Sequence, residues 1–369
     1  MSFLTHISDL RFHDGRKFIL PPPVKPVCSG RDFVIAAVGM EHGHIYGMTA
    51  SLLAAGACLK WAWDADPAKV EKFLERFPQA AAAASLEQVL DDPEVQLVAA
   101  AAIPNERGPL GIKVMQAGKD YFTDKAPFTT LKQLEQAKKT VRLTGRKYLV
   151  CYSERLNSEA AMLAGDLIEQ GAIGRVLQVA GFGPHRLGPP TSRPDWFFRK
   201  KQYGGILCDI GSHQCEQFLH YTGATDAKLN FARVENFAHP QFPELEDFGE
   251  ASFTGNNGAS FYFRVDWFTP AAMRSFGDGR IIIIGTDGQM ELRKCDDICS
   301  YRVPQQIYLV DQRGQYRIEA AQTVGLRFFG EMILDCLNRS EKAMSQEHAF
   351  KAAEMCLLAQ QAADRFRQK

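Results

Sequence analysis

Asp209 and His213 stand four apart in Gly204-Gly205-Ile206-Leu207-Cys208-Asp209-Ile210-Gly211-Ser212-His213, a spacing that puts two side chains on one face of a helix. An imidazole with a pKa near its ordinary value of about 6.5 can take a proton at neutral pH. A carboxylate one turn away can orient it or share a substrate hydroxyl with it. Glu216 and His220 extend the same stripe, opposite Leu207, Gly211, Cys215 and Phe218, a pattern that also fits a solvated face with salt-linked histidines. Lys125, in Asp124-Lys125-Ala126-Pro127, follows a predicted strand. There it is either a donor to substrate oxygen or a solvated loop lysine. A metal site built on Cys208, His213 and Cys215 is the poorer reading, because Cys208 and His213 point to different sides. Cys295 and Cys299 read as incidental, and no metal is expected.

A second group suits a dinucleotide. Gly39-Met40-Glu41-His42-Gly43-His44 joins a predicted strand to a predicted helix, the setting in which backbone N–H groups at a helix N-terminus receive a pyrophosphate. As a G-x-G-x-x-G motif it keeps only Gly39, with Glu41 and His44 in the other two glycine places, so a ligand-free tight turn is the competing reading. Asp64 ends the next predicted strand 25 residues after Gly39. A carboxylate there accepts from both ribose hydroxyls and repels a 2′-phosphate, favouring NAD over NADP. An ordinary loop carboxylate is the alternative.

The candidates for contact with substrate lie in two places. Tyr152 and Arg155 follow the last predicted strand of the first domain. His185, Arg186, Arg193, Trp196 and Tyr203 belong to an irregular stretch, 185–203, that runs into Gly204-Gly205 and is placed to roof the nicotinamide. Arginine holds carboxylates in bidentate fashion and tryptophan stacks on sugar faces, so this composition hints at an anionic or glycosylated polyol. Arg199-Lys200-Lys201 reads as a solvated run.

These residues need a scaffold, and the chain of 369 residues is long enough for two domains. Residues 1–31, with Pro21-Pro22-Pro23, read as a surface arm. From Phe33 to Cys151, short apolar strands at Phe33–Val38, Cys58–Trp63, Leu97–Ile103, Asp120–Thr123 and Lys147–Cys151 alternate with helical patterns. That predicts an α/β domain over 32–152, a doubly wound parallel sheet of the Rossmann type. Beyond it, 153–369 predicts an α+β domain: a helix to Glu169, a strand at Arg175–Phe182, the Gly205–Tyr221 helix, then strands separated by Gly, Asn and Asp turns that imply an open, mostly antiparallel sheet. Two terminal helices follow and could pack back on the first domain. Ala259, Phe261, Phe263 and Val265 alternate with Ser260, Tyr262, Arg264 and Asp266, so one sheet face is left to pair with a second copy as a homodimer or dimer of dimers.

The 43 basic residues cancel the 43 acidic ones, which argues against nucleic acid or an anionic membrane as partner. Nine cysteines without a C-x-x-C pair, and no signal-peptide or membrane-spanning run, point to a reducing cytoplasm.

Taken together, the residues resemble the glucose-fructose oxidoreductase and inositol dehydrogenase family, Gfo/Idh/MocA, over roughly 33–365. The matching stretches are Asp124-Lys125-Ala126-Pro127, the Gly204–His213 segment, Pro104-Asn105, Gly118-Lys119-Asp120 and Ile284-Gly285-Thr286-Asp287-Gly288. The resemblance implies Lys125, Asp209 and His213 as catalytic residues. It further implies Gly39 and its followers at the pyrophosphate, Asp64 at the ribose, and Ile103, Pro104, Asn105 and Lys125 beside the nicotinamide half. Glu41 replaces a family glycine, Ala126 separates lysine from proline, and Glu106-Arg107-Gly108-Pro109 stands where the family carries a histidine. The implied activity is NAD-dependent hydride transfer at a CH–OH group of a sugar, inositol, related polyol or sugar acid. The alternatives are a redox-assisted elimination without net redox, and a nucleotide-binding sensor.

Overall fold

A computed structural model describes residues 7–12, 14–295, 297–298 and 304–367. Residues 34–151 run β1 (Val34–Val38), α1 (His44–Ala54), β2 (Cys58–Trp63), α2 (Pro67–Arg76), β3 (Ala81–Ala82), α3 (Leu86–Asp91), β4 (Leu97–Ala100), α4 (Pro104–Gln116), β5 (Asp120–Asp124), α5 (Leu131–Thr144) and β6 (Tyr148–Cys151). The strands pair in parallel in the order β3-β2-β1-β4-β5-β6. β1, β4, β5 and β6 are buried along their whole lengths, as a parallel sheet covered on both faces requires. The α/β expectation holds.

Local chemistry starts the helices where the sequence places their caps. Asp66 accepts from Ala68 N–H, Ser85 from Gln88 N–H and Thr130 from Gln133 N–H. The Gln88 and Gln133 side chains reach back to the N–H groups of Ala84 and Thr129. α4 begins at Pro104, four residues before the expected Gly108, because proline's fixed φ suits a first helical position. β3 escapes sequence reading because two alanines carry no period.

The second domain runs α6 (Ser153–Leu156), α7 (Glu159–Glu169), β7 (Val176–Pro184), α8 (Lys200–Tyr203), α9 (Ile206–Asp209), α10 (Gly211–Thr222), β8 (Ala227–Glu235), β9 (Phe248–Gly255), β10 (Ser260–Asp266), β11 (Arg280–Gly285), β12 (Gly288–Arg293), β13 (Gln306–Asp311), β14 (Gln315–Glu319), α11 (Phe328–Asn338) and α12 (Gln346–Arg367). Its eight strands are ordered β14-β13-β12-β11-β7-β10-β9-β8, with β7 and β10 parallel and the other pairs antiparallel. Phe261, Phe263 and Val265 are buried on one face, where Phe261 stacks on Phe218 of α10 at 4.6 Å.

The two domains share core. Phe328 and Phe329 of α11 pack on Phe122 of β5, and Phe350 of α12 packs on Tyr148 of β6. The Gln346 side chain both accepts from Tyr148 N–H and donates to Tyr148 O. The N-terminal arm buries Leu10, Phe12 and Phe18 and exchanges two hydrogen bonds between Ile19 and the Gln170 side chain. Among the described residues, no helix is long and apolar enough to cross a membrane.

Candidate active site

A cleft of about 300 Å³ opens at the carboxyl ends of the parallel strands and is closed by α6, the α9–α10 segment and the 185–199 stretch. Ligand crevices of open α/β sheets lie at this edge. Lys125 enters it just past β5, its peptide with Ala126 in the cis form. The lysine is buried, and its Nζ donates to Asp209 Oδ1 at 2.5 Å. Arg107, fully buried, holds this turn in place: its guanidinium donates to Ala102 O at 2.7 Å and to the Lys125 carbonyl, and meets Asp124 Oδ2 at 3.3 Å.

Asp209 therefore partners Lys125, where the i, i+4 spacing had pointed it at His213. The turn between them is tightened: His213 N–H bonds Ile210 O, three residues back, where α9 gives way to α10, and the Asp209 carboxylate goes to the lysine. Gly205 lets the start of this segment pack against α12: it sits at φ +95°, and a Cβ there would lie 2.2 Å from the Gln360 amide.

Burial would raise the Asp209 pKa, but the charge and hydrogen bond of Lys125 outweigh it, and the carboxyl lies below its ordinary value. His213 is pushed down to about 3, mainly by burial and further by Lys125 and His185, against an opposing pull from Glu154. Its Nδ1 is buried without a partner, as is Glu154 Oε1. Both residues line the cleft, and buried polar atoms of this kind call for a ligand or water.

Two cleft residues that sequence reasoning missed are Glu154 and Lys294, which pair at 2.5 Å. Lys294 and two neighbouring histidines hold Glu154 well below the carboxylate range despite its burial. No spacing could have joined residues 140 positions apart.

Of the candidate substrate contacts, His185, Arg193 and Trp196 line the cleft. His185 Nδ1 faces Gly183 O at 3.1 Å. Arg193 lies over Phe197 and Trp267, with Nε and Nη2 on the carbonyls of Leu187 and Arg186. The other four lie outside the lining. Tyr152 is fully buried and donates to Ala349 O at 2.8 Å. Arg155 is spent on Glu216. Tyr203 donates to Glu244 O and accepts from Glu246 N–H. Arg186 is tied to carbonyls of Pro270, Met273 and Ser275. Of the 199–201 run, Arg199 and Lys201 are exposed, as a solvated run requires, and Lys200 is paired to Glu246 and Asp364.

The cofactor loop departs from a bare glycine turn. Gly39 has φ +62°, and a Cβ there would meet the Ala102 Cβ at 3.0 Å. Met40 N–H donates to Asp64 Oδ2 at 2.5 Å, and Asp66 N–H donates to Oδ1. The N-terminus of α1 has no side-chain cap at Gly43; Ile45 and Tyr46 N–H turn back to the carbonyls of His42 and Gly43, and the uncapped positive end of the helix is the feature that suits a pyrophosphate. Glu41 is the residue that fits least, since its carboxylate occupies a family glycine place. Lys69 pairs with it, and Trp196 Nε1 donates to its Oε2 at 3.2 Å. Glu106 is raised by burial and then by Glu41 and Asp64, so the acids here interact. The uncapped helix and Asp64 fit a dinucleotide, and Lys69 neutralises the carboxylate that does not. Pro104 lines the cleft. Ile103 precedes α4, and Asn105 Oδ1 is buried without a partner.

His42 and His44 turn toward β5. Their Nδ1 atoms stand 2.9 Å and 2.8 Å from the two oxygens of Asp124, and burial, with His44 adding to it, pushes His42 down to about 4. Cys208 and Cys215 are buried, the Cys208 thiol donating to Cys356 O. Cys295 lines the cleft, and Cys299 lies outside the described residues.

Residues 35–152 match the model of an oxidoreductase family with an NAD-binding Rossmann fold, and residues 162–291 match the GFO/IDH/MocA C-terminal domain. A solved oxidoreductase from Erwinia carotovora atroseptica is 47% identical, covers 90% of this chain and 99% of its own, and superposes with a TM-score of 0.87. A levoglucosan dehydrogenase solved with NADH and levoglucosan shares the fold at 16% identity, TM-score 0.77, over 90% of this chain and 97% of that one. D-xylose dehydrogenase of Paenarthrobacter nicotinovorans is 27% identical over 40% of this chain, and levoglucosan dehydrogenase of Pseudarthrobacter phenanthrenivorans is 28% identical over 52%. The alignments span 38% and 52% of the lengths of those two curated relatives.

Proposed function

Because the chain belongs to the GFO/IDH/MocA oxidoreductase family, we propose that it is an NAD-dependent dehydrogenase acting at a carbinol carbon of a sugar, inositol, related polyol or sugar acid. The reading is carried by the buried Lys125–Asp209 pair beside the unpartnered His213 imidazole at the carboxyl edge of the sheet. A bound nicotinamide supplies the hydride acceptor or donor. His213, neutral through burial, accepts the hydroxyl proton. Lys125, held by Asp209, donates a hydrogen bond to the carbinol oxygen as negative charge develops on it. Glu154 Oε1 offers an acceptor for a neighbouring hydroxyl, and Trp196 and Arg193 wall the substrate. The family and the sugar dehydrogenases among the relatives support a polyhydroxylated substrate. A nicotinamide absorbance screen over sugars, inositols, aldonic and uronic acids, with NAD and NADP, tests it. No turnover on any of them would sink the reading.

The Asp64 carboxylate at the end of β2 favours NAD, since it would repel a 2′-phosphate. Asp64→Ser is expected to move the NAD:NADP affinity ratio toward NADP by about tenfold or more, about 1.4 kcal/mol. Calorimetric titration reads it. Equal or tighter NADP binding by the unaltered protein would remove Asp64 from that role.

For assembly, we propose a dimer, or dimer of dimers, through the outward face of the eight-stranded sheet. Phe231, Ile282, Ile284 and Val310 are exposed there, on the same face as Tyr262 by strand register. An apolar sheet face of this kind is usually covered. Light scattering at micromolar concentration should give a multiple of 41.2 kDa, and Ile282→Lys/Ile284→Lys should return the single-chain mass. A single-chain mass for the unaltered protein contradicts the dimer. The eight described cysteines are all free, which supports a reducing compartment such as the cytoplasm.

A further inference from the structure

Among the described residues, His42, His44 and Asp124 form the group of three imidazole and carboxylate side chains whose donor atoms all lie within 4.8 Å of one another. We propose that these three side chains bind a divalent transition-metal ion, Zn²⁺ or a first-row neighbour, on the wall of the cleft beside Lys125.

The geometry is that of two imidazoles converging on one carboxylate. The rings are nearly perpendicular, 88° apart with centroids at 4.2 Å, so they approach from two directions and do not stack. Each presents Nδ1 to Asp124, at 2.9 Å for His42 and 2.8 Å for His44. The two contacts are unequal. His44 Nδ1 is hydrogen-bonded to Oδ1, whereas His42 Nδ1, buried and 2.9 Å from Oδ2, meets that oxygen as a close ion-pair contact with poorer hydrogen-bond alignment. A cation among the three donors would take the lone pairs of both imidazoles.

The supporting shell also suits a ligating carboxylate. Asp124 is fully buried at the end of β5, receives the Lys125 N–H at 2.8 Å, and meets Arg107 at 3.3 Å. Outer partners of this kind fix a ligand's orientation. His42 is fixed through its backbone, its N–H donating to Ala101 O at 3.0 Å. Two imidazoles and one carboxylate select Zn²⁺, Fe²⁺, Co²⁺ or Ni²⁺ over the all-oxygen cations. Three protein ligands also leave positions open. His42 and His44 line the cleft that Lys125, Asp209 and His213 share, so the open positions would accept an oxygen of a hydroxyl-bearing ligand. Arg107 draws on the same carboxylate, so the ion is expected to exchange and not to be locked in.

The proposal stands apart from the hydride-transfer reading, because its readout is bound metal and not turnover. Untagged protein, stripped with a chelator, is titrated with Zn²⁺ by calorimetry and with Co²⁺ by visible absorption. One equivalent per chain at micromolar affinity is expected, with d–d bands for Co²⁺. Loss of an outer partner alone costs 10–100-fold in affinity, so His42→Gln/His44→Gln, which removes two direct ligands, should weaken binding by at least about 100-fold. His239→Ala, at the separate imidazole–carboxylate pair with Asp247, should leave it unchanged. Absence of a stoichiometric equivalent in the unaltered protein overturns the site. So does unchanged binding in the double variant, or in both single variants His42→Gln and His44→Gln if the double variant fails to fold.

Discussion

His213→Ala is expected to lower kcat by about 10² to 10⁴-fold on the substrate returned by the polyol screen, with NAD affinity near its original value. The imidazole is buried on the cleft wall with Nδ1 unpartnered. Removing it leaves the hydroxyl proton without an acceptor but takes nothing from the cofactor loop. Burial holds the imidazole at about 3, far below the ordinary value near 6.5. The acid limb of kcat/KM for the free enzyme should therefore lie well below pH 6.5, so the unaltered enzyme should show no loss of kcat/KM near pH 6.5 that is due to this histidine. Steady-state kinetics between pH 4 and 9, with calorimetric NAD titrations, check both points. Wild-type kcat in the variant would take His213 out of the chemistry. Loss of NAD binding in parallel with kcat would recast it as a structural residue.

Arg155→Met is expected to destabilise the fold by about 3–5 kcal/mol at neutral pH, since it leaves the Glu216 carboxylate buried without its main partner. The pair uses both carboxylate oxygens: Nη2 lies 2.5 Å from Oε1 and Nε 3.0 Å from Oε2. His348 Nε2, at 3.1 Å, is a lesser partner. Burial would raise the Glu216 pKa, but Arg155 and His348 overcome it and the folded value is depressed. A depressed carboxyl contributes stability that is complete above its unfolded pKa and is lost as pH falls through the folded one. In Arg155→Met that loss should begin at higher pH. Urea midpoints at several pH values report it, and Arg155→Met/Glu216→Leu should recover much of the deficit. A loss under about 1 kcal/mol in the single variant would mean that His348 suffices.

The Rossmann half was legible because its signals are local. Apolar runs, the caps at Asp66, Ser85 and Thr130, and the glycine turn after β1 each act over a few residues. The candidate site was legible in part for the same reason: Lys125, Asp209 and His213 sit in short recognisable stretches. Their pairing was not, since a lysine 84 positions away takes the Asp209 carboxylate. Arg155 and Tyr203 read as substrate contacts in sequence, yet they satisfy partners within the second domain. Glu154 with Lys294, and Arg107 beneath the Lys125 turn, depend on contacts across β-sheet rims and helix starts that carry no sequence period.

The Gln346 amide, hydrogen-bonded in both directions to the backbone of Tyr148 across 198 positions, has a consequence for the timing of folding on the ribosome. β6 is the edge of the parallel sheet, and an uncovered edge strand is a template for pairing with other chains. Its covering helix is made only after all eight strands of the second sheet. At about 5–20 residues per second, translation of the intervening chain takes tens of seconds, during which the nascent first domain presents an open edge and the Phe122 and Tyr148 surfaces that α11 and α12 later bury. The first domain is thus a unit by topology but not by birth order. A ribosome-stalled chain ending near residue 330 should be protease-sensitive at β6, although every strand of that sheet has already emerged.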